Sequence, residues 1–299
     1  MNQTSVLLHA FADEAASARA LAEALGIGVR IVDVHTFPDG EVLPTIPKAA
    51  ATTIVYRSLA RPNDKLIPLL LACDAWRRAG AKRLILVAPY LCYLRQDTVF
   101  APGQPNSQAV IGDLLGARFD RIVTVDAHLH RTPSIESVFP QTAATNLTAA
   151  LAVAGWLERN HPSVDFILGP DVESEPWVRQ AASSLGTPYR LFSKTRRGDA
   201  DVRLTLQSPE DFAGRSVALV DDICSSGGTL IKATSMLKNA GAREIIVCVT
   251  HALFDEAAAD KLRAAGATSI ASTDSVRHPT NAIALAPLLA DALRSEAPP

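Results

Sequence analysis

Apolar residues along this chain fall into two alternating patterns. Short unbroken runs rich in Val, Ile and Leu are followed by longer stretches in which apolar positions recur every third or fourth residue. Runs of the first kind read as strands buried on both faces of a parallel sheet, and stretches of the second kind as amphipathic helices lying against it. The strands fall at 6–11, 31–37, 53–56, 84–88, 122–125, 166–168, 189–192, 202–206, 217–220, 245–250 and 270–274. Helical spacing covers 15–25, closed by Gly26, and 65–79, closed by Gly80. It recurs at about 107–116, at 143–157, through 181–185, and through Leu230, Ala233 and Leu237. Strand and helix alternating over the whole length predict an α/β fold. Pro38-Asp39-Gly40-Glu41 predicts a hairpin turn, because Pro and Asp-Gly punctuate the run and Val42, Leu43, Thr45 and Ile46 then alternate.

The pattern repeats once. Arg78-Ala79-Gly80-Ala81-Lys82-Arg83-Leu84-Ile85-Leu86-Val87 is echoed by Asn239-Ala240-Gly241-Ala242-Arg243-Glu244-Ile245-Ile246-Val247-Cys248. Each is a helix end, a Gly stop, a basic residue and a buried strand. The expectation is two similar domains, each a mainly parallel sheet flanked by helices, related by internal duplication and joined near residue 145. Composition adds little to this. A chain of 299 residues that is 48% hydrophobic, 20% charged and of net charge −2 reads as soluble and globular, with no global pull toward nucleic acid or an acidic membrane. No stretch approaches the length of a membrane span, and the apolar run from Val6 to Ala12 is broken by His9 and closed by Asp13-Glu14, unlike a signal peptide. Cys73, Cys92, Cys224 and Cys248 show no paired spacing, so neither a zinc site nor a disulfide framework is expected, and a reducing cytoplasm is the expected compartment.

The densest chemistry lies at Val217–Leu230. A strand runs into the acid pair Asp221-Asp222, then Ile223, Cys224, Ser225, Ser226, Gly227, Gly228 and Thr229, then a helix. Backbone N–H groups of such a turn and of the helix N-terminus converge on an anion. Gly227 and Gly228 permit close approach, and the hydroxyls of Ser225, Ser226 and Thr229 add donors. The acids would repel a bare phosphate, so they suit ribose hydroxyls or a magnesium ion. No Lys follows Gly228, which excludes a Walker loop, and the acids precede the glycines, which excludes the dinucleotide fingerprint.

Weaker signals sit at other strand ends. Arg95-Gln96-Asp97 follows one strand, where α/β sheets bind ligands, although a solvated loop has the same composition. Asp126, His128 and His130 would share one face of an extended run, which suits either a divalent metal or a structural histidine pair. Gly169-Pro170-Asp171 ends another strand. Lys194, Arg196 and Arg197, flanked by Gly198-Asp199, read as a solvated face or as a cationic lid over transferring phosphates.

The acid pair and turn resemble the phosphoribosyl-pyrophosphate loop shared by type I phosphoribosyltransferases and ribose-phosphate pyrophosphokinases. Taken in order, Phe37-Pro38-Asp39-Gly40-Glu41, Pro62-Asn63-Asp64, Tyr93 with Arg95-Gln96-Asp97, Asp126-Ala127-His128, Pro170-Asp171, Lys194 with Arg196 and Thr250-His251 resemble the ribose-phosphate pyrophosphokinase family over nearly the full length. The resemblance implies an N-terminal domain 1–144 on the ATP side, with the C-terminal helix 284–299 packed on it, and a domain 145–283 carrying the ribose 5-phosphate loop. It implies diphosphoryl transfer from ATP to ribose 5-phosphate with Mg2+, in a homo-oligomer, a dimer or hexamer. By it, Lys194, Arg196 and His128 are catalytic, and Asp39, Glu41, Arg95, Gln96 and Asp97 bind ATP, the first two from a neighbouring subunit. Asp171, Asp221, Asp222 and residues 224–229 hold ribose 5-phosphate, and His128 and Asp171 hold the metal. Departures exist. Val172-Glu173-Ser174-Glu175 stands where the family has a Gly-Gly turn, and Thr98-Val99-Phe100 where it has basic residues. These leave open a catalytically silent regulatory relative, and the shared loop leaves open a phosphoribosyltransferase.

Overall fold

The structure, a computed structural model, describes residues 6–197 and 201–297, with the backbone alone at 194–197 and 201–203. The chain divides into two compact units, Met1–Leu147 with Ala286–Pro299, and Thr148–Leu285.

In the first unit the elements are β1 (Val6–Phe11), α1 (Ala15–Leu25), β2 (Val29–Thr36), β3 (Val42–Thr45), β4 (Thr52–Tyr56), α2 (Asn63–Arg78), β5 (Arg83–Ala88), α3 (Ser107–Gly116), β6 (Arg121–Val125), the short α4 (Ile135–Val138) and β7 (Ala143–Leu147). The sheet order is β3-β2-β1-β4-β5-β6-β7, and every pair is parallel except the β2–β3 hairpin. The central strands read as unbroken apolar runs because helices cover both faces. Leu8, Ile54, Leu84, Ile85 and Leu86 are all fully buried, with Trp76 of α2 among the largest side chains of the core. The chain's last helix, Ala286–Leu293, packs on α1 within this unit.

The second unit contains α5 (Ala150–Asn160), β8 (Phe166–Gly169), α6 (Glu175–Leu185), β9 (Tyr189–Leu191), β10 (Ser193–Arg197), β11 (Asp201–Thr205), β12 (Ser216–Cys224), α7 (Gly228–Asn239), β13 (Glu244–Ala252), α8 (Glu256–Ala265), β14 (Ser269–Thr273) and β15 (Asn281–Ile283). Its sheet is fully parallel in the order β15-β14-β13-β12-β8-β9, and β10 and β11 form a separate antiparallel ribbon. Without the β3 hairpin strand, the first sheet reads β2-β1-β4-β5-β6-β7 and the second β9-β8-β12-β13-β14-β15, the same order strand for strand. The repeated segment agrees in detail. Gly80 and Gly241 both end their helices at positive φ, 96° and 82°. The next residues then donate in pairs to one carbonyl, Lys82 and Arg83 to Ala51 O, Arg243 and Glu244 to Arg215 O.

Two sequence expectations are corrected by pairing. Residues 143–157 form no single helix, since 143–147 is β7, lying parallel beside β6. The alanines favour helix locally, but the exposed edge of β6 offers a row of backbone partners that outweighs this weak preference. Strand β12 does not stop at Val220. It runs through the acid pair to Cys224 because β13 continues beside it, Cys224 opposite Ala252. Among the described residues, no helix is long and apolar enough to cross a membrane.

Candidate active site

An open parallel sheet binds ligands at the carboxyl ends of its strands, where the strand order reverses. In the second unit that point lies between β8 and β12, with Asp171 two residues past the end of β8 and Asp221-Asp222 just before the end of β12. After β8, the Asp171 carboxylate accepts from Glu173 N at 3.1 Å, which fixes a single 3-10 turn, Val172–Ser174, before α6. The Ser174 hydroxyl donates back to Asp171 O at 2.6 Å. The turn stays close to the strand end because Gly169 carries no side chain. A Cβ there would overlap Ser174 Oγ and come within 2.7 Å of Leu191 Cδ2. Of the two acids that replace the expected Gly-Gly turn, Glu173 is exposed, while Glu175 accepts from the Tyr189 hydroxyl at 3.1 Å and opens α6, where a negative charge suits the helix dipole.

At the end of β12, Asp222 is buried and Asp221 partly so, and Asp222 N donates to Asp221 Oδ1 at 3.1 Å. Burial, then the charges of Asp222 and Asp171, push the Asp221 carboxyl well above the ordinary carboxylate range. Three carboxylates therefore crowd one strand-end region. Beyond them Ser225 and Ser226 are exposed, and Gly227, at φ 74°, turns the chain into α7. With Gly227 as N-cap there is no capping side chain, so the first turn of α7 presents N–H groups without intrahelical acceptors. Cys224 stands apart from its neighbours. Its thiol lies in the core, burial pushes it up to about 12, and its carbonyl accepts from Leu253 N at 2.8 Å.

In the first unit, the loop after β5 carries Arg95, Gln96 and Asp97. Tyr93, at φ 62°, starts the turn, and its hydroxyl donates to Asn63 Oδ1 at 2.6 Å. Arg95 is exposed. Gln96 is exposed too, but its side chain accepts from Ser107 Oγ at 2.7 Å, at the start of α3. The Asp97 side chain is only 2% exposed and is taken up by Arg131, a residue the sequence reading did not select. Its signal was a basic position directly after His128-Leu129-His130. The single face expected for Asp126, His128 and His130 does not form. Asp126 is buried at φ 39°, which ends the extended run at the first of the three. His128 and His130 remain, their ring centroids 6.0 Å apart and edge to face. Among the described residues, no three His, Cys, Asp or Glu side chains converge as a metal cluster. The Asp39–Glu41 segment is the hairpin turn expected, with Phe37 N donating to Glu41 O at 2.8 Å, and both acids are exposed. Lys194 and Arg196 lie on the β10–β11 ribbon, opposite Leu204 and Val202, rather than on an irregular loop. Their side chains lie outside the described residues.

A parallel sheet whose acid-tipped strands meet a small-residue turn at a helix N-terminus defines the phosphoribosyl-binding class of α/β proteins. The comparisons agree and go further. Residues 144–282 match the phosphoribosyl transferase domain, and residues 6–118 match the N-terminal domain of ribose phosphate pyrophosphokinase. A ribose-phosphate pyrophosphokinase of Methanopyrus kandleri is 33% identical over 280 residues, covering 93% of this chain and 94% of the relative. One from Pyrococcus abyssi is 37% identical over 232 residues, covering 77% and 79%. The crystal structure of phosphoribosylpyrophosphate synthetase from Mycobacterium smegmatis superposes with a TM-score of 0.83 at 27% identity, covering 98% of each chain. The chain belongs to the ribose-phosphate pyrophosphokinase family.

Proposed function

We propose that the protein transfers the β,γ-diphosphoryl group of ATP to the C1 hydroxyl of ribose 5-phosphate, giving 5-phosphoribosyl 1-diphosphate and AMP. The observation that carries this reading is the acid pair running into the Ser225–Thr229 turn at the reversal point between β8 and β12. Asp221 and Asp222 take the ribose hydroxyls, and the turn with the first N–H groups of α7 takes the 5-phosphate. Ser225 and Ser226, exposed at the turn, add hydroxyl donors. Arg95 and Gln96 hold ATP, and the exposed Asp39 and Glu41 reach the adenine of a neighbouring subunit in a homo-oligomer.

The reaction is taken to use Mg2+, and the chemistry of the donor set fits it. An all-oxygen group of mutually repelling carboxylates, with Asp221 pushed up by burial, Asp222 and Asp171, is relieved by a hard divalent cation. Asp171 is the proposed ligand from this group, and His128 is proposed separately as a metal ligand of the first unit. When bound, the ion draws negative charge off the transferring phosphates. Lys194 and Arg196 are proposed to meet the same phosphates from the β10–β11 ribbon, where fixed cations stabilise charge that develops only in transfer. Lys194→Ala is expected to lower kcat by at least about a hundredfold while the Kd for ribose 5-phosphate stays within about twofold. Equal losses in both would remove the transition-state role.

Incubation with ATP, ribose 5-phosphate and Mg2+, followed by nucleotide separation, tests the whole reading. AMP formed only when ribose 5-phosphate is present is the expected result. ADP would mean simple phosphoryl transfer. No turnover with ribose 5-phosphate still bound would mean a silent relative.

A further inference from the structure

We infer that Arg131, oriented by Asp97, is a nucleotide-phosphate contact of the first unit, and that Asp97 is a positioning residue rather than an ATP ligand. The inference rests on the reading that this unit binds ATP.

Asp97 grips Arg131 at two points. Arg131 N donates to Oδ2 at 3.2 Å, and Nη1 donates to Oδ1 at 2.8 Å. The carboxylate is spent on this pair, since its side chain is only 2% exposed. The guanidinium behaves differently. Its side chain is 54% exposed, although it is fixed on one edge by the carboxylate and rests against the Phe100 ring at 5.6 Å. A guanidinium held on one edge keeps its remaining N–H donors in a plane, which is the geometry that phosphate oxygens accept. The ordering entropy of a long side chain has already been lost before the ligand arrives.

The surroundings hold Asp97 in place. Asn106 Nδ2 donates to Asp97 O at 3.2 Å, and the Asn106 carboxamide caps α3 by accepting from Ala109 N. The clamp thus ties the loop after β5, with Arg95 and Gln96, to the loop after β6, with His128 and His130. Charge gives the pair its purpose. Thr98-Val99-Phe100 supplies no cation directly after Asp97, and Val99 and Phe100 are exposed apolar residues. Arg131 returns a positive group to this place, and Phe100 serves as the surface on which it lies.

Calorimetry of a non-hydrolysable ATP analogue with the full-length protein tests this. Arg131→Gln is expected to weaken analogue binding about ten- to a hundredfold, the usual worth of a charge-assisted contact, with ribose 5-phosphate affinity unchanged. Arg131→Lys restores only part, because it keeps the charge and loses the planar grip. Asp97→Asn weakens binding by a smaller factor, and the Asp97→Asn/Arg131→Gln double variant binds no worse than Arg131→Gln alone, as expected of groups acting as one unit. Additive losses would make Asp97 a ligand in its own right and overturn the positioning role. Unchanged analogue binding in Arg131→Gln would overturn the inference while leaving the proposed reaction intact. A wild-type protein that binds ribose 5-phosphate but no analogue would remove the nucleotide reading itself. Trp76 lies in the first unit, so its fluorescence midpoint in urea, read in a Trp156→Phe/Trp177→Phe background, shows whether a variant misfolds there.

Discussion

His9 sits in the middle of β1 with no exposure, and its Nδ1 accepts a hydrogen bond from Trp76 Nε1 at 3.1 Å. Burial lowers its pKa from 6.5 to about 4. The folded protein therefore holds it neutral, while the unfolded chain takes up a proton once the pH falls below 6.5. Stability from this site is complete above 6.5 and is lost between 6.5 and about 4, by roughly 3 kcal/mol in all. His9→Gln keeps an acceptor for Trp76 and does not titrate. Urea midpoints measured from pH 7 to pH 4 should fall less steeply for that variant than for wild type, and parallel curves would show that His9 is not the source. Asp221 has the opposite sign. Its carboxyl is raised, so the folded state binds the extra proton, and stability falls as pH rises from 3.8 towards the folded value. The penalty is complete only once the pH has passed the folded value. Asp221→Asn is expected to raise unliganded stability by about 1 kcal/mol, the scale on which active sites trade stability for function, and to remove the stabilisation given by ribose 5-phosphate. Melting curves with and without the sugar phosphate test both halves.

The last helix is the element most dependent on distant sequence. Leu289 and Leu293 are buried, and just beyond the helix Glu296 accepts from Arg83 Nε at 2.8 Å and Nη2 at 2.7 Å and from Arg121 Nη1 at 3.0 Å. The Arg83 hydrogen bond, with smaller help from Arg121, holds the Glu296 carboxyl below the ordinary range, so its contribution is present above pH 4.5 and lost as pH falls through the folded value. Glu296→Gln should cost about 1–2 kcal/mol, the worth of a partly exposed charged hydrogen-bond set. Proteolysis would then release the C-terminal segment before the rest of the chain, and unchanged cleavage order would rule out the anchor. Elements differ in how far local residues foretell them. The helices at 15–25 and 107–116 match α1 and α3 residue for residue, because α1 ends at a left-handed Gly26 and α3 starts at a capping Asn106. The acid pair and its turn were legible for the same reason, since Gly227 and the carboxylates act locally. Strand β7 was not legible, because only the open edge of β6 makes 143–147 a strand. Nor was the positive φ of Asp126, which no neighbouring residue announces, or the Asp97–Arg131 pair, whose members lie on loops after different strands.

Two units of shared strand order carry separate cores, one around Trp76, Leu84 and Leu86, the other around Leu219, Leu237 and Val247. A ligand stabilises the part of a molecule whose folding creates its site, by RT ln(1 + [L]/Kd), or about 2.7 kcal/mol at a hundredfold excess over Kd. The ribose 5-phosphate groups proposed at β8 and β12 all belong to the second unit, so that ligand should act there first. The tryptophans allow each unit to be followed separately. Trp76 is the first unit's own, and Trp156 and Trp177 lie in the second. In a Trp156→Phe/Trp177→Phe protein, fluorescence reports Trp76 alone, and its urea midpoint should move little when ribose 5-phosphate is added. Wild-type fluorescence, with all three emitters, should show a component that moves to higher urea under the same conditions. Midpoints that coincide and shift together would mean that the units unfold as one cooperative body, and the ligand's stabilisation would then belong to the whole chain.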